Sequence, residues 1–260
     1  MWILFIGDIV GKPGREAVRD FLPEIKQKFD LDLVIANGEN AAGGRGITRE
    51  VADELFNYGI DFLTMGNHVW DNKDIINFID DERRIIRPAN YPKGVPGRGH
   101  AIIISNNGLK VGVINLSGRV FLTPLENPFT MVINLINELA LETPIIIVDF
   151  HAEATSEKIA MGWMLDGKVS AVICTHTHIQ TADARILEKG TAYITDVGMT
   201  GPRDSVLGIK KEIVINNFLT QMPVKFEVAS GVKQLNGVVL EIDETSGKAM
   251  QIIPIQIFGE

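Results

Sequence analysis

One pattern constrains this chain more than any other: an apolar run that stops at a metal-competent residue, repeated five times. The runs are Leu4-Phe5-Ile6-Gly7-Asp8, Val34-Ile35-Ala36-Asn37-Gly38-Glu39-Asn40, Phe62-Leu63-Thr64-Met65-Gly66-Asn67-His68, Ile145-Ile146-Ile147-Val148-Asp149-Phe150-His151 and Ala171-Val172-Ile173-Cys174-Thr175-His176-Thr177-His178. Short uncharged apolar runs read as buried strands. In the fifth, two imidazoles leave the strand together. On extended backbone they would project to the same side, about 6 to 7 Å apart at Cα, a spacing suited to two neighbouring metal ions. The expectation is that all five strand ends converge on a two-metal site.

Between the runs lie helical patterns. After Gly11-Lys12-Pro13-Gly14, read as a turn, Val18, Phe21, Leu22, Ile25 and Phe29 share one helix face, and Pro23 predicts a break or kink near Leu22. Thr48 can cap a helix running to about Tyr58. Strand and helix alternating in this way predict parallel crossovers in a layered α/β fold. After Pro88 the style changes: residues 101–105 and 110–116 flank Asn106-Asn107-Gly108, a hairpin signal, so the sheets are mixed. Helices are expected over residues 130–141 and 156–165, a strand over 191–197, then a glycine-rich loop from Gly198 to Gly208, and an antiparallel tail from about Met222. No repeat or linker divides the 260 residues, which predicts a single domain spanning 1–260.

Composition narrows the partners. With a net charge of -8 and both signs interspersed, the chain has no broad basic face for duplex DNA, although a nucleotide or a single-strand end remains compatible. No stretch approaches the ~18 apolar residues of a membrane span, and the apolar N-terminus reads as a first strand. The sole cysteine, Cys174, lies inside a predicted strand, so it reads as a small core residue in a reducing, cytoplasmic setting. Homo-oligomerisation is left open.

Asp8, Glu39, Asn40, Asn67, His151, His176 and His178 form an oxygen and nitrogen donor set without thiolate, which suits iron, manganese or zinc. Ligands of open α/β sheets bind beyond the carboxyl ends of strands, where all five runs stop. Each residue alone has an ordinary reading: Asp8 as a helix cap, the Gly-rich segments as turns, His151 as a core histidine. Together they would require four of the five histidines to reach strand ends by coincidence. His100 is read as an ordinary loop residue.

These blocks resemble the calcineurin-like metallophosphoesterases, whose motifs are Asp-x-His, Gly-Asp, Gly-Asn-His, a lone His and Gly-His-x-His. Here they read Asp8-Ile9-Val10, Gly38-Glu39-Asn40, Gly66-Asn67-His68, His151 and Thr175-His176-Thr177-His178. Val10 stands where that family has a ligand histidine, Glu39 where it has a bridging aspartate, and Thr175 where it has a glycine. With Gly-Asp-Ile-Val-Gly, Asn-Gly-Glu-Asn-Ala-Ala-Gly-Gly, Asp-Phe-His-Ala-Glu and Asp-Val-Gly-Met-Thr-Gly-Pro, these departures resemble the YmdB-like branch over nearly the whole chain.

The resemblance implies a layered sandwich of mixed sheets flanked by helices, and two divalent or mixed-valence metal ions. Carried over, it assigns Asp8, Asn40 and His178 to one ion, Asn67, His151 and His176 to the other, and Glu39 to both. Asn40 then takes the role that Val10 cannot. Two divalent ions outweigh Asp8, Glu39 and a bridging hydroxide in charge, and the excess favours an anionic ester. His68 resembles the proton donor to the leaving alkoxide. Arg45, Arg119 and Arg203 are candidate phosphate contacts, and Trp70 and Phe121 could stack on a base. The implied activity is phosphodiester hydrolysis, with 2′,3′-cyclic nucleotides or RNA ends as substrates. The alternatives are a phosphomonoesterase, or a regulatory protein that binds metal and nucleotide without turnover.

Overall fold

The computed structural model describes residues 1–259. In chain order the elements are β1 (Trp2–Ile6), β2 (Asp8–Ile9), α1 (Gly11–Phe29), β3 (Leu33–Asn37), α2 (Arg49–Asn57), β4 (Phe62–Thr64), β5 (Ile85–Ile86), β6 (His100–Ile104), β7 (Lys110–Ser117) and α3 (Pro128–Leu139). There follow β8 (Ile146–His151), α4 (Thr155–Leu165), β9 (Ala171–Thr175), β10 (Arg185–Ile186), β11 (Ala192–Ile194), β12 (Met199–Pro202), α5 (Lys211–Thr220), β13 (Lys233–Ile242) and β14 (Ala249–Phe258).

Two mixed sheets stack face to face. One runs β2-β12-β13-β1-β3-β4-β5 with β14 added on β13, and the other runs β10-β11-β9-β8-β7-β6. The strands that carry the five motifs are parallel within their sheets: β1 with β3, β3 with β4, and β8 with β9. Parallel pairing brings their carboxyl ends to one edge of each sheet.

The period-2 alternation of side chains builds the layers. Ile3, Phe5, Leu33 and Ile35 face the other sheet and meet Ile147, Ala171 and Ile173 in the central layer. Leu4, Ile6, Val34 and Ala36 point outward onto α1 and α2 through Val18, Leu22, Ile25 and Leu55. On the far side Ile146, Val148, Phe150, Val172 and Cys174 pack beneath α3 and α4. The architecture is the layered sandwich of mixed sheets flanked by helices expected from the sequence.

Several local expectations are corrected. Gly11 to Gly14 open α1 rather than forming a separate turn, and α1 runs through Pro23 without interruption. Pro23 and Arg19, whose carbonyl the proline leaves without a donor, both lie on the exposed side, so water can serve that carbonyl while Val18, Leu22 and Ile25 stay buried. The Gly198–Gly208 segment is not all loop: Met199–Pro202 forms β12, paired with β2 and β13. Helix α5 has no counterpart among the sequence expectations; only Val214 of it is buried, so no apolar stripe marks it. His100 begins β6, with Nε2 3.2 Å from Glu138 Oε1. Thr48 caps α2 as expected, accepting from the Val51 amide.

Candidate functional site

Asp8, Asn37, Glu39 and His151 are fully buried, an arrangement unfavourable for free carboxylates unless something compensates their charge. The strand ends bring them together. His151 Nε2 lies 3.0 Å from Glu39 Oε1, 2.9 Å from Asn67 Oδ1 and 3.0 Å from His176 Nδ1. One ring nitrogen has at most one proton for three acceptors, whereas a cation would satisfy all of them. Glu39, His151 and His176 each present a donor atom, and the three lie within 4.8 Å of one another.

Beside this group stands a second. Asp8 Oδ1 is buried without a hydrogen-bond partner. His178 Nε2 lies 4.0 Å from it, and Asn40 Nδ2 sits 3.3 Å from that imidazole nitrogen and 3.3 Å from Glu39 Oε1. An unpartnered buried carboxylate oxygen is rare and requires a reason. Both groups therefore fit a cation by their donor chemistry, and Glu39 touches both.

The hydrogen-bond network assigns the imidazole tautomers. His178 Nδ1 must donate to the Leu207 carbonyl at 3.1 Å, which leaves Nε2 with its lone pair towards Asp8 and Asn40. His176 Nε2 donates to Glu153 Oε2 at 2.9 Å, which leaves Nδ1 facing His151. Burial raises the Asp149 carboxyl to about 7, so from neutral pH upward it accepts from the Thr175 hydroxyl at 2.8 Å. Thr175 Oγ1 then accepts from His151 Nδ1 at 2.9 Å. Each of the three imidazoles is thus tethered through one nitrogen and turns the other inward, as the histidines of metal centres do.

Electrostatics agree. Burial opposes the charge on Glu39, yet neighbouring His151 holds its carboxyl down to about 2. Burial likewise opposes charge on His151, but Glu39 and Asp8 raise it to about 9. His176 is pushed down to about 3 by burial and by His151, so it stays neutral. Burial pushes Asp8 up, with His178 and His151 pulling the other way.

The backbone departs from the sequence expectation in one respect. Strand β9 ends at Thr175, and His176 and His178 adopt φ of 108° and 66° rather than extended conformations. Left-handed backbone at two non-glycine residues costs on the order of 1–3 kcal/mol each. Asp196 restrains the turn: its Oδ2 accepts from the Thr177 amide and hydroxyl and from the buried Lys158 ammonium at 2.7 Å. The His176 amide also donates to Asp8 Oδ2 at 3.2 Å. Gly66 has a steric reason, since a Cβ there would meet Glu39 Oε2 and His151 Nε2.

His68 lines two cavities beside these groups, one of about 260 Å³ with Glu39, Glu153, His176 and His178, and one of about 320 Å³ with Asn40, Arg45 and His178. Its amide donates to Glu39 Oε2, and its Nδ1 donates to Asp71 Oδ2 at 2.8 Å. Sequence reasoning assigns no functional part to Asp71, Asp149, Glu153, Lys158 or Asp196. Asp71, three residues after His68, and Asp149 and Glu153, two residues on either side of His151, carry a local signal; Lys158 and Asp196 reach the site through folding. Among the candidate arginines, Arg45 reaches a cavity. Arg119 and Arg203 line neither, and Arg203 pairs with Asp204 at 3.0 Å. Trp70 packs edge-on against Tyr91, and Phe121 is 88% exposed away from both cavities. Cys174 is buried, and burial pushes its thiol up, in keeping with a core role. No helix among the described residues is long and apolar enough to cross a membrane.

Known proteins resemble this chain in sequence and shape. The family described as YmdB-like protein matches residues 4–255. A Bacillus subtilis protein named 2′,3′-cyclic-nucleotide 2′-phosphodiesterase is 54% identical over 257 residues, covering 99% of this chain and 97% of the relative. A hypothetical protein from Thermus thermophilus superposes with a TM-score of 0.94 at 40% identity, with each chain wholly covered. A structure described as a novel phosphatase from Mycoplasma pneumoniae gives a TM-score of 0.93 at 37% identity, covering 99% of this chain and 93% of its own.

Proposed function

The chain belongs to the YmdB-like protein family, and from that premise we propose that it is a dinuclear metal-dependent phosphodiesterase acting on 2′,3′-cyclic nucleotides or RNA-derived phosphodiesters. The observation that carries the reading is the inward aim of three tethered imidazoles around Glu39, next to the unpartnered Asp8 Oδ1. Asn67, His151 and His176 would hold one ion, Asp8, Asn40 and His178 the other, and Glu39 both. Asn40 would coordinate through Oδ1, which needs a half-turn of its amide from the orientation that places Nδ2 against His178. Iron or manganese suits this set, and zinc is compatible. The ions, when bound, supply Lewis acidity to the phosphoryl oxygens and lower the pKa of the attacking water.

This chain's own residues do the rest. Neutral His and Asn ligands preserve excess positive charge, which stabilises the more highly charged transition state over the diester. Asp71 holds the His68 ring by Nδ1, so that Nε2 is the atom left to pass a proton to the departing alkoxide as the P–O ester bond breaks. Arg45, 3.8 Å from Asp71, lines the cavity beside His68 and is the phosphate contact of the three candidates.

Metal analysis of protein purified without chelator should find about two ions per chain. Hydrolysis of 2′,3′-cyclic AMP should exceed that of an aryl phosphomonoester. His68→Ala should lower kcat by roughly 10²- to 10⁴-fold with metal content retained. Preferential monoester hydrolysis, or nucleotide binding without turnover by the parent protein, would replace the phosphodiesterase reading.

A further inference from the structure

The cavity of about 320 Å³ beside His68 and His178 has two kinds of lining. Asn40, Arg45, His68 and His178 supply its polar side chains. The other side chains on it, among them Val10, Leu207, Ile209, Val214, Phe218 and Phe226, have no donor or acceptor. Phe218 and Phe226 leave 71% and 44% of their surface to solvent, and Leu207 45%, at the mouth of a polar site where exposed apolar side chains gain nothing by themselves. Leu207 lines both cavities, and its carbonyl fixes the His178 ring, so the apolar wall is joined to the metal-competent end through one residue. That residue adopts a left-handed φ of 53°.

We propose that this apolar chamber, formed by α5 and the segments on either side of it, is the nucleobase pocket for a 2′,3′-cyclic mononucleotide. The inference rests on the phosphodiesterase reading above. A charged phosphate joined by a short sugar to a flat, weakly polar ring matches a cavity whose lining combines Asn40, Arg45, His68 and His178 with apolar walls. Phe218 and Phe226 offer ring faces for stacking, which every base possesses. Because these apolar walls carry no hydrogen-bonding side chain, they read ring faces and not base edges. The pocket should therefore accept adenine and guanine with similar affinity.

The test compares 2′,3′-cyclic AMP with ethylene phosphate, which carries the same five-membered cyclic diester and no base. For Phe218→Ala and Phe226→Ala, kcat/KM on the cyclic nucleotide should fall roughly tenfold more than on ethylene phosphate, and mainly through KM, as lost base stacking predicts. Equal losses on both esters, or no loss on the nucleotide, would overturn the assignment, as would a hundredfold preference between 2′,3′-cyclic AMP and 2′,3′-cyclic GMP. Truncation at Phe218 removes little core, so loss of folding does not confuse the result. If the parent protein hydrolyses neither ester, the proposed chemistry fails and calorimetry with adenosine 3′-phosphate reads the pocket directly. Affinity should then fall roughly tenfold in Phe218→Ala, and absent or equal binding would refute the pocket.

Discussion

The two halves of the candidate site are built differently. Around His151, donor atoms lie 2.9 to 3.0 Å apart, the ring is wholly buried, and its far nitrogen is held by Thr175, itself bonded to Asp149 within the central strands β8 and β9. Around His178 the atoms stand farther apart, with 4.0 Å to Asp8 Oδ1, and the ring is held by the carbonyl of Leu207, a residue that is 45% exposed. The first half is organised by core packing and the second by loop contacts. Preorganised ligands bind a cation more tightly because less freedom remains to be lost. One ion should therefore be tightly held and the other readily exchanged.

The sharpest way to erase the difference is to remove the group common to both halves. Glu39→Ala should reduce metal content from about two ions per chain to below one and abolish measurable turnover, as read by elemental analysis and kinetics. Unchanged metal content would remove Glu39 from both halves.

Separating the halves is the next largest effect. His178→Ala should retain about one ion per chain, whereas His151→Ala should lose the tight ion as well as activity. Equilibrium dialysis against rising metal concentration distinguishes them, and equal binding isotherms for the two variants would refute the proposed asymmetry.

Removing only the tether should act on one half. Thr175→Val frees His151 Nδ1 from its acceptor and should weaken the tight ion by roughly 10- to 100-fold, the usual consequence of losing such support, while the weaker ion is unaffected. An equal weakening of both would place the effect in the fold and not in the tether.

The mildest lever is pH. In the metal-free protein His151 is raised to about 9 by Glu39 and Asp8 against the opposing effect of burial, so a cation must displace a proton from it below that pH. Affinity at the buried half should rise about tenfold per pH unit between 7 and 9 and then level off. The same raised value means that the charged ring stabilises the metal-free fold fully below its ordinary 6.5, with that contribution lost as pH rises through about 9. Calorimetric titration in buffers of different ionisation enthalpy should detect about one proton released per tight ion.

Much of this is legible in the sequence. The continuous apolar runs of β1, β3, β8 and β9 foretell strands buried within the layers, and the polar residue closing each run foretells the shared edge. Pro23 misleads, because on the side of the helix opposite Val18, Leu22 and Ile25 water can serve the carbonyl that the proline leaves without a donor, and the helix continues. Helix α5 and its chamber carry no signal either, since a helix with Val214 as its single buried residue has no apolar period to detect.

The order of amino acids was enough to fix which residues could meet: strands rich in apolar β-formers pair in parallel and must end together. How they meet was settled by folding in three dimensions. The left-handed turns at His176 and His178, the imidazole tautomers and the buried Lys158–Asp196 restraint all depend on partners remote in sequence. Asp8 and the His176 amide that it accepts from lie 168 positions apart. Periodicity reports burial, a property each residue shows locally, whereas a hydrogen bond requires the distance and direction of a second group that folding alone brings into place.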